Sequence, residues 1–92
     1  MITGSQVTAG TAVTTLCVIP PGPCMTVVSN PSAVTVYFGP GTVTTGNGLP
    51  VPSGQSVAFA TYQGDKGATL TVIAASGTAN SVGWLLSSPL GR

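Results

Sequence analysis

The stretch Asn30–Gly54, NPSAVTVYFGPGTVTTGNGLPVPSG, decides the fold class. Ala33–Phe38 is β-branched and aromatic, a composition that fits a pleated, half-buried surface. Gly39-Pro40-Gly41 ends that run, because Pro offers no N–H to a ladder and Gly accepts turn geometry. Thr42–Thr45 reads as a second short strand, and Gly46-Asn47-Gly48 as a turn of the hairpin kind. Pro50 and Pro52 predict an extended, unpaired passage to Ser53-Gly54. No side chain in the stretch is a ready acid, base or metal ligand. It specifies a surface.

The same pattern continues on both sides. Upstream, Ala12–Ile19 reads as a strand that Pro20-Pro21-Gly22-Pro23 breaks, since three prolines in four positions cannot sit in a central ladder. Cys24–Ser29 is the next strand, ended by the turn-starting Asn30-Pro31-Ser32. Downstream, Gln55–Tyr62 alternates, with Val57 and Phe59 on one face and Ser56 and Ala58 on the other. A turn over Gln63–Gly67 holds Asp65 and Lys66. Ala68–Ala75 places Leu70, Val72 and Ala74 on one face, and Asn80–Ser88 does the same with Val82, Trp84 and Leu86.

No segment sustains a helical period. Seven or eight short strands with regular turn signals predict an all-β chain, a single small antiparallel β-sandwich or barrel, with jelly-roll and immunoglobulin-like topologies both open. Residues 1–92 form one domain in this reading. Residues 1–10 are expected to be a short flexible N-terminal arm, and residues 89–92 a short C-terminal tail.

Charge is the most unusual feature. Only Asp65, Lys66 and Arg92 are charged, 3% of the chain, against about 25% in ordinary domains. With 42% apolar residues this is not a disordered composition. A nearly neutral surface gives little colloidal repulsion, so the working state is expected to be an assembly. Two basic residues cannot displace the counterions of a nucleic acid. No apolar run is long enough for a transmembrane helix. Met1–Gln6 has neither a charged region nor an apolar one, so the expectation is no signal peptide, a native start at Met1 and synthesis in a cytoplasm.

The sequence has no histidine and one acidic side chain. A carboxylate pair cannot be formed, and a Ser or Cys nucleophile would lack its usual base. Two Cys and one Asp cannot close a tetrahedral zinc site. The reading is therefore of a non-enzyme with no cofactor. Cys17 and Cys24 carry two readings: a disulfide across a short loop, or two reduced, buried thiols, which cytoplasmic synthesis favours. Of the aromatics, Phe59 and Trp84 are expected in the core. Tyr37 and Phe38 point to opposite faces, so one should be core and the other outward. Tyr62, beside a turn, and Ile2 are further interface candidates, which gives Ile2, Tyr37, Phe38 and Tyr62 as the set.

The succession of a Val-rich strand, a Pro-Gly break, VVSNPS, VTVYFG, VTTGNGLPVPSG and ATLTVIAASGTA resembles small virion proteins of tailed bacteriophages, over roughly residues 12–88. These are capsid decoration (cement) proteins and head- or tail-fibre domains. The resemblance implies a component of the capsid exterior, seated on the major capsid protein, a homo-oligomer and often a trimer. It carries over no individual functional residue. Two other readings stand beside it. One is a receptor- or carbohydrate-binding module of a fibre, using Tyr37, Tyr62 or Trp84 for stacking. The other is a neck or tail accessory protein.

Overall fold

The computed structural model describes residues 2–62 and 66–87. They form eight strands: β1 (Ile2–Ala9), β2 (Thr14–Ile19), β3 (Cys24–Asn30), β4 (Val36–Pro40), β5 (Leu49–Val51), β6 (Gln55–Thr61), β7 (Ala68–Ala74) and β8 (Ala79–Ser87). They pack as two four-stranded antiparallel sheets, in the orders β1-β8-β3-β6 (sheet 1) and β2-β7-β4-β5 (sheet 2). The pairs β4 with β5, β3 with β6, β2 with β7 and β1 with β8 are the successive rungs of one long antiparallel ribbon. Its tip is the loop between β4 and β5. Rolling the ribbon over brings β8 against β3 and β7 against β4. That is the jelly-roll order, and it closes the choice left open by the pattern of strands.

Three expectations are corrected. The N-terminal arm is a strand: Ile2–Ala9 pairs with β8, from Ile2 opposite Ser87 to Ala9 opposite Ala79. Its residues show no clear alternation of apolar and polar positions, and the nine-residue strand β8 supplies the template. Thr42–Thr45 lies in the β4–β5 connection and forms no strand. The pairing falls on Leu49–Val51, with Val36 opposite Val51, Tyr37 opposite Pro50 and Phe38 opposite Leu49. Pro50 is tolerated there because β5 is the last strand of its sheet, where a missing N–H faces outward. The C-terminal tail (89–92) and Gln63, Gly64 and Asp65 of the charged turn lie outside the described residues.

The inner faces are as the alternation foretold. Val28, Val36, Val51, Val72 and Val82 are fully buried, and Val57, Phe59 and Trp84 pack against them. Phe38 of sheet 2 stacks on Phe59 of sheet 1, ring centroids 6.1 Å apart. Asn30 is the buried polar keystone between the sheets. Its Nδ2 donates to the carbonyls of Val34 and Val51, both at 2.8 Å, and its Oδ1 accepts from the Ser32 backbone N–H at 3.2 Å and from the Ser32 hydroxyl. A side chain with no exposure thus has donors and acceptors satisfied, as burial requires. Gly67 enters β7 at φ +82°, and a Cβ there would stand 2.5 Å from the Ile19 carbonyl oxygen, so both conformation and space select glycine. In β8 one extra residue faces the step from Val7 to Ala9, and Ser81, at φ 61°, absorbs this bulge.

Candidate interaction surface

Sheet 1 turns one face to the core and the other to solvent. Along β3, Cys24, Thr26, Val28 and Asn30 are buried, so Met25, Val27 and Ser29 point outward. The register extends this across the sheet. One row runs Ile2, Ser87, Met25, Ala60, and the next runs Gly4, Leu85, Val27, Ala58. A third row runs Gln6, Gly83, Ser29, Ser56. No strand of either sheet carries a charged residue.

This face is apolar where side chains are large and small elsewhere. Ile2 is 68% exposed, Met25 47% and Leu85 44%. Leu85 can lie flat across the sheet because Gly4 leaves room. A Cβ at Gly4 would come within 2.9 Å of Leu85 Cδ1. Tyr62, 70% exposed, lies two residues beyond Ala60 along the chain, just past the end of β6. With Pro23, Met25, Ala60 and Ser87 it borders a shallow hollow of about 350 Å³. A second hollow, about 300 Å³, lies over Gly83 between Gln6, Ser29 and Leu85.

The structure sorts the residues singled out from sequence. Ile2 and Tyr62 come to the same end of this face, on opposite edges. Tyr37 is half-buried on sheet 2. Phe38 is core, 3% exposed, which removes it from the interface set. Its inward direction follows from β4's alternation about buried Val36. Trp84 turns inward against the core, with Nε1 buried. Met25 and Leu85 were missed. Their signal was present in the alternation of β3 and β8, where each is an apolar residue on the face opposite the core.

Cys17 and Cys24 are free, buried thiols and form no bridge. They belong to β2 and β3 in different sheets, opposite Leu70 and Thr61 respectively. The Pro20–Pro23 break carries the chain from one sheet to the other, so the two are not cross-strand neighbours. Burial, and then the neighbouring Cys24, push the Cys17 thiol up to about 11.

A third feature is an apolar cleft of about 410 Å³ between the sheets, on the side where β5 and β6 end them. Phe38, Leu49, Val57, Phe59 and Leu70 are among its walls. Among the described residues no group of three or more His, Cys, Asp or Glu side chains could hold a metal ion, and no helix is long and apolar enough to cross a membrane. The chemistry available on these surfaces is apolar contact and neutral hydrogen bonding. No family model, curated protein or solved structure matches the chain.

Proposed function

We propose that this chain is a structural virion protein, a decoration or cement protein seated on the outside of the major capsid protein shell of a tailed phage, performing no reaction. The observation that carries the reading is the outer face of sheet 1, free of charge and bearing the exposed Ile2, Met25, Leu85 and Tyr62. Each half-exposed apolar side chain contributes about 1 kcal/mol on burial. Four of them together only reach the bottom of the roughly 4–15 kcal/mol that rigid association of two bodies costs. One copy on one subunit would therefore hold weakly. Many copies bridging neighbouring shell subunits hold firmly, because linked contacts add through effective concentration. The jelly roll is used in viral capsid and lectin domains alike, so the fold alone does not choose between them. The carbohydrate-binding reading is weaker, because Trp84 packs inward and Tyr37 is half-buried, leaving Tyr62 as the one well-exposed ring among the described residues.

The test is to raise an antibody against the chain and measure its copies in gradient-purified phage particles, before and after a wash at about 1 M salt, where charge interactions are screened within about 3 Å. Hundreds of copies per particle retained through the wash are expected. Absence from particles, or release in proportion to ionic strength, overturns the proposal. A copy number near that of a single tail ring would move the protein to the neck or tail.

A further inference from the structure

The four edge strands are not equivalent. In sheet 2, β5 has three residues with Pro50 among them, and β2 has an irregular register between Thr15 and Cys17 and runs into Pro20-Pro21. In sheet 1, β1 follows a register on β8 that an extra residue of β8 breaks between Val7 and Ala9. Proline, shortness and bulges are the devices that stop a sheet edge from recruiting another strand. β6 has none of them. Its seven residues, QSVAFAT, pair with β3 in unbroken register from Thr61 opposite Cys24 to Gln55 opposite Asn30. They contain no Pro, Gly or charge. Among the described residues β6 has a neighbouring strand on one side only. The apolar cleft opens beside it, with Val57 and Phe59 in its wall.

The geometry points to a second copy of this chain as the occupant of that edge. Two β6 strands pair antiparallel about a two-fold axis through Ala58, joining two copies of sheet 1 into one eight-stranded sheet. The sequence of β6 is self-complementary in this register. Ala58 meets its own copy on the outer face, where a small side chain lets the strands approach. Ser56 meets Ala60 on the same face. Val57 meets Phe59 on the inner face, a β-branched residue against an aromatic ring, among the favourable cross-strand pairs. The same pairing sets each copy's Phe59 at the mouth of the other's cleft. β1 offers no such match. The positions it turns toward the inner side, Thr3 and Ser5, are polar and exposed. The contact is isologous and closed, so its product is a dimer. It replaces the trimer that the resemblance to decoration proteins implies, and it does not depend on the virion reading.

The test begins with sedimentation velocity of the intact chain over a concentration series. A species of twice the 9.0 kDa chain mass is expected. A mass that stays at one chain, or reaches three, overturns the inference. Ala58→Lys puts two like charges face to face at the axis, which disfavours pairing. Ala58 lies exposed on the outer face, so the variant should keep the wild-type circular dichroism spectrum and lose the dimer. Retention of the dimer overturns the assignment to β6. In the complementary experiment, variants with one added cysteine by substitution are oxidised with copper phenanthroline and quenched with N-ethylmaleimide before denaturation. In this register the two copies of residue 58 lie about 4.5–5.5 Å apart at Cα, within the range a disulfide spans. Ala58→Cys therefore cross-links to a dimer. Ser56→Cys, Ser5→Cys and the wild-type chain with its two buried thiols do not. Cross-linking of Ser5→Cys in place of Ala58→Cys would move the interface to β1 and refute the proposal.

Discussion

Asn30 shows how much one side chain can hold. It ends β3 in sheet 1, yet its amide binds the carbonyl of Val51 in sheet 2 and that of Val34 in the connection between them. Its own backbone carbonyl accepts from the Gly54 N–H at 2.7 Å, and the Ser53 hydroxyl reaches back to the Ser32 carbonyl. Asn30→Asp keeps the shape and removes the donors, leaving a buried carboxylate against two carbonyl oxygens. The expected loss is about 3 kcal/mol or more at neutral pH. The carboxylate is disfavoured in the folded state, so the folded protein binds its proton more tightly than the unfolded chain does. Stability of the variant therefore rises as the pH falls. Urea unfolding at about pH 7 and about pH 4 checks both signs. Asn30→Ser, which can still donate one bond, should lose less.

Cys17 gives a second prediction at this scale. A thiol raised from 9.0 to about 11 holds roughly 100-fold less thiolate at pH 8 than an unfolded cysteine. Alkylation in the native state should therefore be slower than in urea by at least that factor, with burial slowing it further. The sign of the linkage is equally definite. The folded protein keeps the Cys17 proton above the pH at which the unfolded chain releases it. Cys17 thus contributes stability below pH 9.0 that is lost as the pH rises toward about 11. Thermal unfolding followed from neutral pH into this window should show a falling midpoint, and Cys17→Ala should flatten that fall.

At the scale of elements, the informative strand is β1. ITGSQVTA has two apolar strand formers, Ile2 and Val7, two threonines and otherwise small or polar residues, and no two-residue alternation of apolar and polar positions marks it off from an arm. What makes it a strand is a register of partners on β8, and what holds it is burial at its far end, where Ala9 is fully enclosed and Val7 packs on the core. Deleting residues 2–9 should cost at least about 2 kcal/mol from that burial alone, and it leaves β8 as an unprotected edge. A lowered urea midpoint and faster aggregation are the expected outcome. A true arm would come off without change in either. β5 is the mirror case. Two prolines in LPVPSG argue against a ladder, and Tyr37 still pairs with Pro50. The rule about proline concerns the side of the strand that must donate, and at the last strand of a sheet one side has nothing to donate to.

Across the whole molecule, the scarcity of charged side chains becomes a thermodynamic property. With no histidine and three charged residues in the sequence, almost nothing titrates near neutrality. The free energy of unfolding should be flat between about pH 5 and 8. It should also respond weakly to sodium chloride, apart from the general strengthening of apolar burial by excluded salts. Denaturant midpoints that vary steeply with either variable would show that ionic contacts matter more than the composition allows. The same absence shapes how the molecule meets others. Its outer faces offer area and neutral hydrogen bonds, so affinity has to come from the number of linked contacts.

The all-β class, most strand positions and the inward faces were legible in the chain itself. The two-residue alternation around Val57, Val72 and Val82 is a local property of the backbone, and one buried face per strand demands it. The scarcity of acidic and basic side chains was legible too, since composition does not depend on folding. Strand partners were not. The pairing of Ile2 with Ser87, the pairing of Pro50 with Tyr37 and the separation of Cys17 from Cys24 into different sheets depend on how a ribbon of eight strands rolls over. That is settled by contacts between residues far apart in sequence, which no local pattern encodes. For the same reason the exposed face formed by Ile2, Met25, Leu85 and Tyr62 exists only in three dimensions. Its members come from the two ends and the middle of the chain, and the pairing of sheet 1 is what gathers them on one face.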